Sequence, residues 1–171
     1  TKFQRNIEEI LVSPASTLTI LLGYMTSGLL RGMIVGAIVT VISFFFTKIG
    51  VYSLITILSV TILACGIFSA GGLINAIHAK KFDDMAFVPN FILTPLIYLG
   101  GVFFSIALLP KDWQYIAMIN PIVYIINAFR YGFLGLHDKN ILLSFIAMIL
   151  FLLGLLIYAY IMLKKGVGIK E

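Results

Sequence analysis

Between residues 51 and 77 the chain carries no charged side chain, and the same holds for residues 85–109 and 141–163. A fourth stretch, 18–46, is interrupted only by Arg31. Each run meets the roughly 20 apolar residues needed to cross a hydrocarbon core of about 30 Å. A backbone in lipid must satisfy its own hydrogen bonds, so such runs are helices; a β-barrel would show short alternating segments, which this sequence lacks. Composition points the same way. Of 171 residues, 61% are hydrophobic and 11% charged, against about a quarter charged in a soluble domain, and mean hydropathy is +1.09. The sequence therefore predicts an all-α integral membrane protein with a single domain, 1–171, and spans at 18–46, 51–77, 85–109 and 141–163. The first would be about 43 Å long as one helix, so it tilts or begins below the membrane surface.

A fifth apolar stretch, 116–136, contains Asn120, Pro121, Asn127 and Arg130. Its treatment decides where the last helix ends. With four spans, Lys2, Arg5, Lys80, Lys81, Lys164, Lys165 and Lys170 share one side, and Lys48, Lys111, Arg130 and Lys139 share the other. The cationic excess marks the cytoplasmic side, which places both ends of the chain inside. A fifth span would move Lys164, Lys165 and Lys170 outside and erase the bias. Residues 110–136 are thus expected to form outer re-entrant or interfacial helices. Irregular backbone at that depth is tolerated only where protein covers it or it lines a cavity. The net charge of +5 then reflects topology rather than nucleic-acid binding. The chain opens at Thr1 with a polar segment and no signal peptide, and this reading expects a fragment lacking an N-terminal part.

Several positions are candidates for function, each with a plainer alternative. Gly28, Gly32 and Gly36 lay bare backbone along one face of the first span, suited to close helix packing; the neighbour is another span of the same chain or a second subunit. Arg31 lies among them. An arginine at the bilayer centre costs about 2.5–3.5 kcal/mol on insertion scales, so it either snorkels from near the cytoplasmic boundary or faces a polar cleft. Pro89, Asn90 and Pro95 weaken the third span's hydrogen-bond ladder and predict kinks, with Gly100 and Gly101 a flexible or closely packed point beyond. These shape the helix or form a hinge. Trp113, Tyr115, Tyr124 and Tyr131 suit a membrane–water boundary, with an aromatic gate as the alternative. Asp83 and Asp84 are expected to cap the third span and balance charge.

Absences narrow the function classes. Cys65, His78 and His137 have no metal-site spacing, and a single cysteine offers no disulfide framework. No phosphate-binding loop is present, so this chain does not hydrolyse ATP by that route. No catalytic constellation of Ser/His/Asp or paired carboxylates occurs. Apart from Arg31 no ionisable residue lies within the spans, so a proton relay has nothing to run on.

Ordered motifs carry a family resemblance. Residues 5–14, which include Glu8, Glu9, Leu11, Ser13 and Pro14, resemble the cytoplasmic segment before the third span of ABC type 2 exporter permeases. Leu73-Ile74-Asn75-Ala76 followed by a basic loop, Thr94-Pro95-Leu96-Ile97-Tyr98-Leu99-Gly100-Gly101-Val102-Phe103-Phe104, and Leu109-Pro110 resemble the same family in the same order. Asn120-Pro121-Ile122-Val123-Tyr124, then Ala128, Arg130 and Gly135, resembles its outer-loop pattern. The likeness is to bacterial permeases grouped with nodulation-factor, polysaccharide and drug exporters. It implies a six-helix permease domain of which four spans are present, in a bacterial inner membrane. It also implies a second permease copy (the same chain or a paralogue) and a separate ATPase subunit that binds ATP and Mg; no cofactor is expected on this chain. Residues 4–14 would be the coupling helix, with Glu8, Glu9, Leu11, Ser13 and Pro14 meeting the ATPase. Residues 110–136 would be the outer re-entrant segment. Arg31, Pro95, Asn120, Pro121, Tyr124 and Arg130 are candidates for the path or outer gate. The competing class is a membrane assembly or scaffold protein with no transport path.

Overall fold

The computed structural model describes residues 16–47, 50–79, 83–102, 110–136 and 140–165. Among them are helices α1 (Thr17–Phe46), α2 (Leu54–His78), α3 (Asp84–Leu99), α4 (Lys111–Ile119), α5 (Pro121–Leu134) and α6 (Ile141–Lys165), and no strand. Helices α1, α2 and α6 are each long and apolar enough to cross a bilayer.

Local chemistry sets the helix starts. Ser16 Oγ accepts from the Thr19 N–H at 3.2 Å to cap α1, and Ser53 Oγ accepts from the Thr56 N–H at 3.4 Å to cap α2. Within α1 the hydroxyls of Thr26, Thr40 and Ser43 donate to carbonyls one turn back, which satisfies them where water is absent.

The packing centre is α2. Its later half joins Leu21 and Met25 of α1 and Ala159, Met162 and Leu163 of α6 around Ala70, Leu73 and Ile77. Its earlier half, Val60, Ala64 and Ile67, packs on Ile125 and Ala128 of α5 and Met148 of α6. These pairings fix directions: α1 and α5 run antiparallel to α2, and α6 runs parallel to it. The start of α1 and the ends of α2 and α6, with Lys164 and Lys165, therefore lie at one end of the bundle. α5 lies along the opposite half. Outside these seams the helices present large apolar side chains outward: Leu22, Leu30, Ile34, Phe45, Leu150 and Ile157 are all exposed. A water-soluble protein does not display an apolar surface of that extent; it suits the interior of a membrane.

The third helix departs from a continuous run over 85–109. At its prolines α3 widens into a π-helical turn over Val88–Leu93, in which the longer i→i+5 spacing absorbs the break. Thr94 supports it by donating from Oγ1 to the Pro89 carbonyl at 3.0 Å. Pro89 brings no N–H to the Met85 carbonyl four residues back, and Asn75 Nδ2 of α2 donates to that oxygen at 2.9 Å. The helix stops at Leu99, about 24 Å from its start, because Gly100 N–H turns to the Ile97 carbonyl and Gly101 takes φ +81°. Residues 103–109 lie outside the described residues. Asp83 stands at the N-cap position, but its side chain makes no capping bond; capping by Asp83 is therefore not what starts this helix. Asp84 lies in the first turn, where its charge favours the helix dipole.

Candidate functional site

Helices α4 and α5 are bent by 90° at a junction built on Asn120. This side chain is 3% exposed and acts in two directions. Its Oδ1 accepts from the Ile122 N–H at 3.0 Å and caps α5, while Nδ2 donates to the Leu96 carbonyl of α3 at 2.6 Å. Pro121 takes the first helical position, where its missing N–H leaves nothing unpaired. Leu96 requires an outside donor, because the Gly100 N–H has gone to Ile97. A Cβ on Gly100 would stand 2.7 Å from Cγ2 of Ile122, so α3 and α5 approach this closely only over glycine. Arg130 reaches back from α5 and donates from Nη2 to the Gly101 carbonyl at 3.2 Å. The Tyr124 hydroxyl donates to the Met118 carbonyl at 2.8 Å across the bend. Asn120, Pro121, Tyr124 and Arg130 are thus brought together as a tie between the end of α3 and the α4–α5 pair. Pro95 stands apart, exposed along α3.

The other contacts of α5 involve residues with no distinguishing motif. Asn127 Nδ2 donates to Ser144 Oγ of α6 at 2.9 Å, with both side chains buried. Asn127 is visible in the sequence as a polar residue in an apolar stretch; Ser144 is not. Interhelical bonds of this kind in membranes average about 0.6 kcal/mol and reach about 1.7 kcal/mol. A double-mutant cycle of Ser144→Ala and Asn127→Ala, read by thermal unfolding in detergent, is expected to give a coupling of that size. At the other end of α5 the Gly132 carbonyl accepts from the Tyr52 and Ser53 N–H groups at 3.0 and 2.9 Å. Tyr52 packs edge-on against Tyr131 at 5.4 Å between centroids, and Gly135 lies against the Tyr52 ring with φ +70°. Tyr124 and Tyr131 therefore hold structure, whereas Trp113 and Tyr115 are exposed in the manner of boundary aromatics.

The glycine series on α1 divides. A Cβ on Gly28 would stand 2.7 Å from Ser69 Cβ, and one on Gly32 3.3 Å from Cys65 Cβ, so both press against α2. Ser69 Oγ donates to the Tyr24 carbonyl at 3.4 Å along the same seam. Gly36 has nothing within 4 Å of the corresponding position. There the helices part and leave a cleft of about 950 Å³ along the flank of α1 and α2, closed at one side by Phe129 and Phe133. Arg31 lies on it. Set between the residues that face Ser69 and Cys65, Arg31 is level with the middle of α2 rather than with its last turn. Glu8, Glu9, Leu11, Ser13 and Pro14 lie outside the described residues.

Residues 1–134 match the family model described as ABC-2 type transporter. The chain is 45% identical over 170 residues to the inner membrane transport permease YadH of Escherichia coli K12, covering 99% of this chain and 66% of that protein. It is 26% identical over 144 residues to nodulation protein J of Rhizobium leguminosarum bv. viciae, covering 82% and 54%. It is 30% identical over 102 residues to the polysialic acid transport protein KpsM of Escherichia coli, covering 57% and 38%. The chain thus spans from somewhat over a third to about two thirds of the length of these relatives. No solved structure matches it. With the family match running from the first residue through α5, on a bundle whose outward surface is apolar, this chain belongs to the ABC-2 type transporter family of integral membrane proteins.

Proposed function

We propose that the chain is part of the permease subunit of an ATP-driven exporter in the bacterial inner membrane. In this reading it lines a translocation path with a second permease copy and couples to a separate ATPase subunit that binds ATP and Mg. The family match over residues 1–134 carries it. Two geometric facts support the arrangement. The start of α1 and the ends of α2 and α6 share one end of the bundle, which suits a cytoplasmic face where residues 4–14 act as the coupling helix. α5 begins level with the middle of α2 and ends at its first turn, so α4 and α5 suit a re-entrant pair that enters from the outer side and returns. ATP binding would draw two ATPase subunits together, the coupling segment would carry that movement into α1, and a path would open between paired permeases.

Purification of the protein expressed from its complete reading frame checks this. An ATPase subunit is expected to copurify, and Glu8→Ala with Glu9→Ala is expected to bring substrate-stimulated ATP hydrolysis down to the level of the isolated ATPase. Absence of any ATPase from the complex, or unchanged stimulation in that variant, would remove the coupling assignment.

A further inference from the structure

Helix α3 is fastened to the bundle on both sides of its π-helical turn. Before the turn, Asn75 Nδ2 of α2 donates to the Met85 carbonyl. After it, Asn120 Nδ2 donates to the Leu96 carbonyl and Arg130 Nη2 to the Gly101 carbonyl. The stretch between these ties is the weakest part of the ladder. Pro89 offers no N–H to the Met85 carbonyl, and Pro95 offers none to Phe91, four residues back, or to Asn90, five back. A π-helical turn inside an α-helix is rare and frequently marks a functional site.

The same stretch stands over a cavity of about 360 Å³, whose walls include Gly71 and Gly72 of α2, Pro89 and Leu93 of α3, Ile125 of α5 and Phe151 of α6. Packed interiors hold few voids larger than a water molecule. Helical spacing puts Gly71, Gly72 and Asn75 on one face of α2, yet a Cβ added at either glycine would meet nothing within 4 Å among the described residues. Elsewhere between these helices bare backbone faces a partner closely: a Cβ on Gly66 would stand 3.3 Å from Leu152, and one on Gly100 2.7 Å from Ile122. Gly71 and Gly72 offer α3 the same close approach, and its observed position does not use it.

From the ties, the weakened ladder and the space beneath it we infer that α3 is a strap with two positions. In the observed one its middle stands off α2. In the other it closes on Gly71 and Gly72, bending at the π-helical turn and pivoting on the Asn120 and Arg130 bonds, and the cavity is filled. The Asn75 bond restrains the observed position. The movement stands independently of the transport reading; only its use in opening a path rests on that reading.

Cysteine cross-linking tests this in the protein from its complete reading frame, in phosphatidylcholine nanodiscs, with Cys65→Ser as background and copper phenanthroline as oxidant. Gly72→Cys with Val88→Cys puts one thiol on each side of the cavity. A disulfide needs its Cβ atoms within about 3.5–4.5 Å, which the closed position supplies. The pair is expected to join within one chain, read by mass spectrometry of the linked peptides. Gly71→Leu, whose side chain starts in open space, and Pro89→Ala, which returns an N–H to the Met85 carbonyl, should each slow the reaction several-fold. Asn75→Ala should speed it about threefold, the factor that an average interhelical bond in a membrane represents. No linkage above that of the single-cysteine variants overturns the inference, as when another segment occupies the cavity. A rate unchanged by both Gly71→Leu and Pro89→Ala overturns it too, since the two helices would then meet without any movement. If the first pair does not fold, Phe68→Cys with Ile92→Cys, also across the cavity, is read in the same way. The reaction runs without ATP, so its failure counts against the strap alone, and absence of a copurifying ATPase counts against the transport reading alone.

Discussion

Gly132→Leu is expected to cost on the order of 3 kcal/mol and to remove most folded protein from detergent extracts. A Cβ at this position would stand 2.7 Å from Ile57 Cγ1, and behind that atom lie the Ile57 N and Cα at 3.4 and 3.6 Å. The obstacle is therefore the α2 helix itself as well as a side chain that can turn away. Overfilling a packed interior costs about 1–3 kcal/mol through forced backbone shifts. Here any shift of α5 also lengthens the two bonds that the Gly132 carbonyl accepts from Tyr52 and Ser53. Size-exclusion profiles and apparent melting temperature in detergent measure the effect. Gly36→Leu is the control: nothing lies within 4 Å of its added carbon, and leaving glycine gains about 1 kcal/mol of helix propensity. Equal behaviour of the two variants would mean that α5 does not press on α2 as described.

Asn120→Ala is expected to cost about 2–4 kcal/mol. Loss of the α5 cap accounts for about 1 kcal/mol, and the stranded Leu96 carbonyl for about 1–3 kcal/mol. The effect should be local as well as global. With the 2.6 Å bond gone, α3 keeps its tie to α2 through Asn75 and Met85 but loses one at its far end. Hydrogen exchange of α3 amides should rise above that of α2 in this variant. Asn120→Asp separates the two contributions. It retains an oxygen for the Ile122 N–H but turns an acceptor toward the Leu96 carbonyl, so it should be at least as damaging as alanine. Wild-type stability in Asn120→Asp would show that the bond to Leu96 does not hold α3.

The class of this protein is legible in its residue order because lipid imposes a coarse rule. Charges are excluded over about 20 residues at a time, and residues 51–77 and 141–163 state that rule openly. The prolines of α3 and the Asn120-Pro121 step are legible as interruptions, since a missing N–H is a local fact. Their consequences are not. Pro89 leaves the Met85 carbonyl without its i+4 donor, but that the distant Asn75 supplies one and that a π-helical turn forms there is not written in the local sequence. The three glycines of α1 look identical as a spacing, yet Gly28 and Gly32 meet Ser69 and Cys65 while Gly36 meets nothing. That difference depends on the angle at which α1 crosses α2. Gly132 and Ser144 carry no signal at all, because their roles lie in what faces them.

Residue order alone settles that apolar helices cross a bilayer and which family its motifs resemble. Hydropathy, proline and charge act within one segment or along the membrane normal, so they can be read along a line. Three-dimensional packing was needed to settle that α2 is the packing centre, that α6 runs parallel to it, and that Asn120 joins α3 to α5. It also showed which residues of α2 lie level with Arg31. Helices in lipid gain little from hydrophobicity against one another and pack by shape and a few hydrogen bonds. Those depend on residues far apart in the chain, and no single stretch records them.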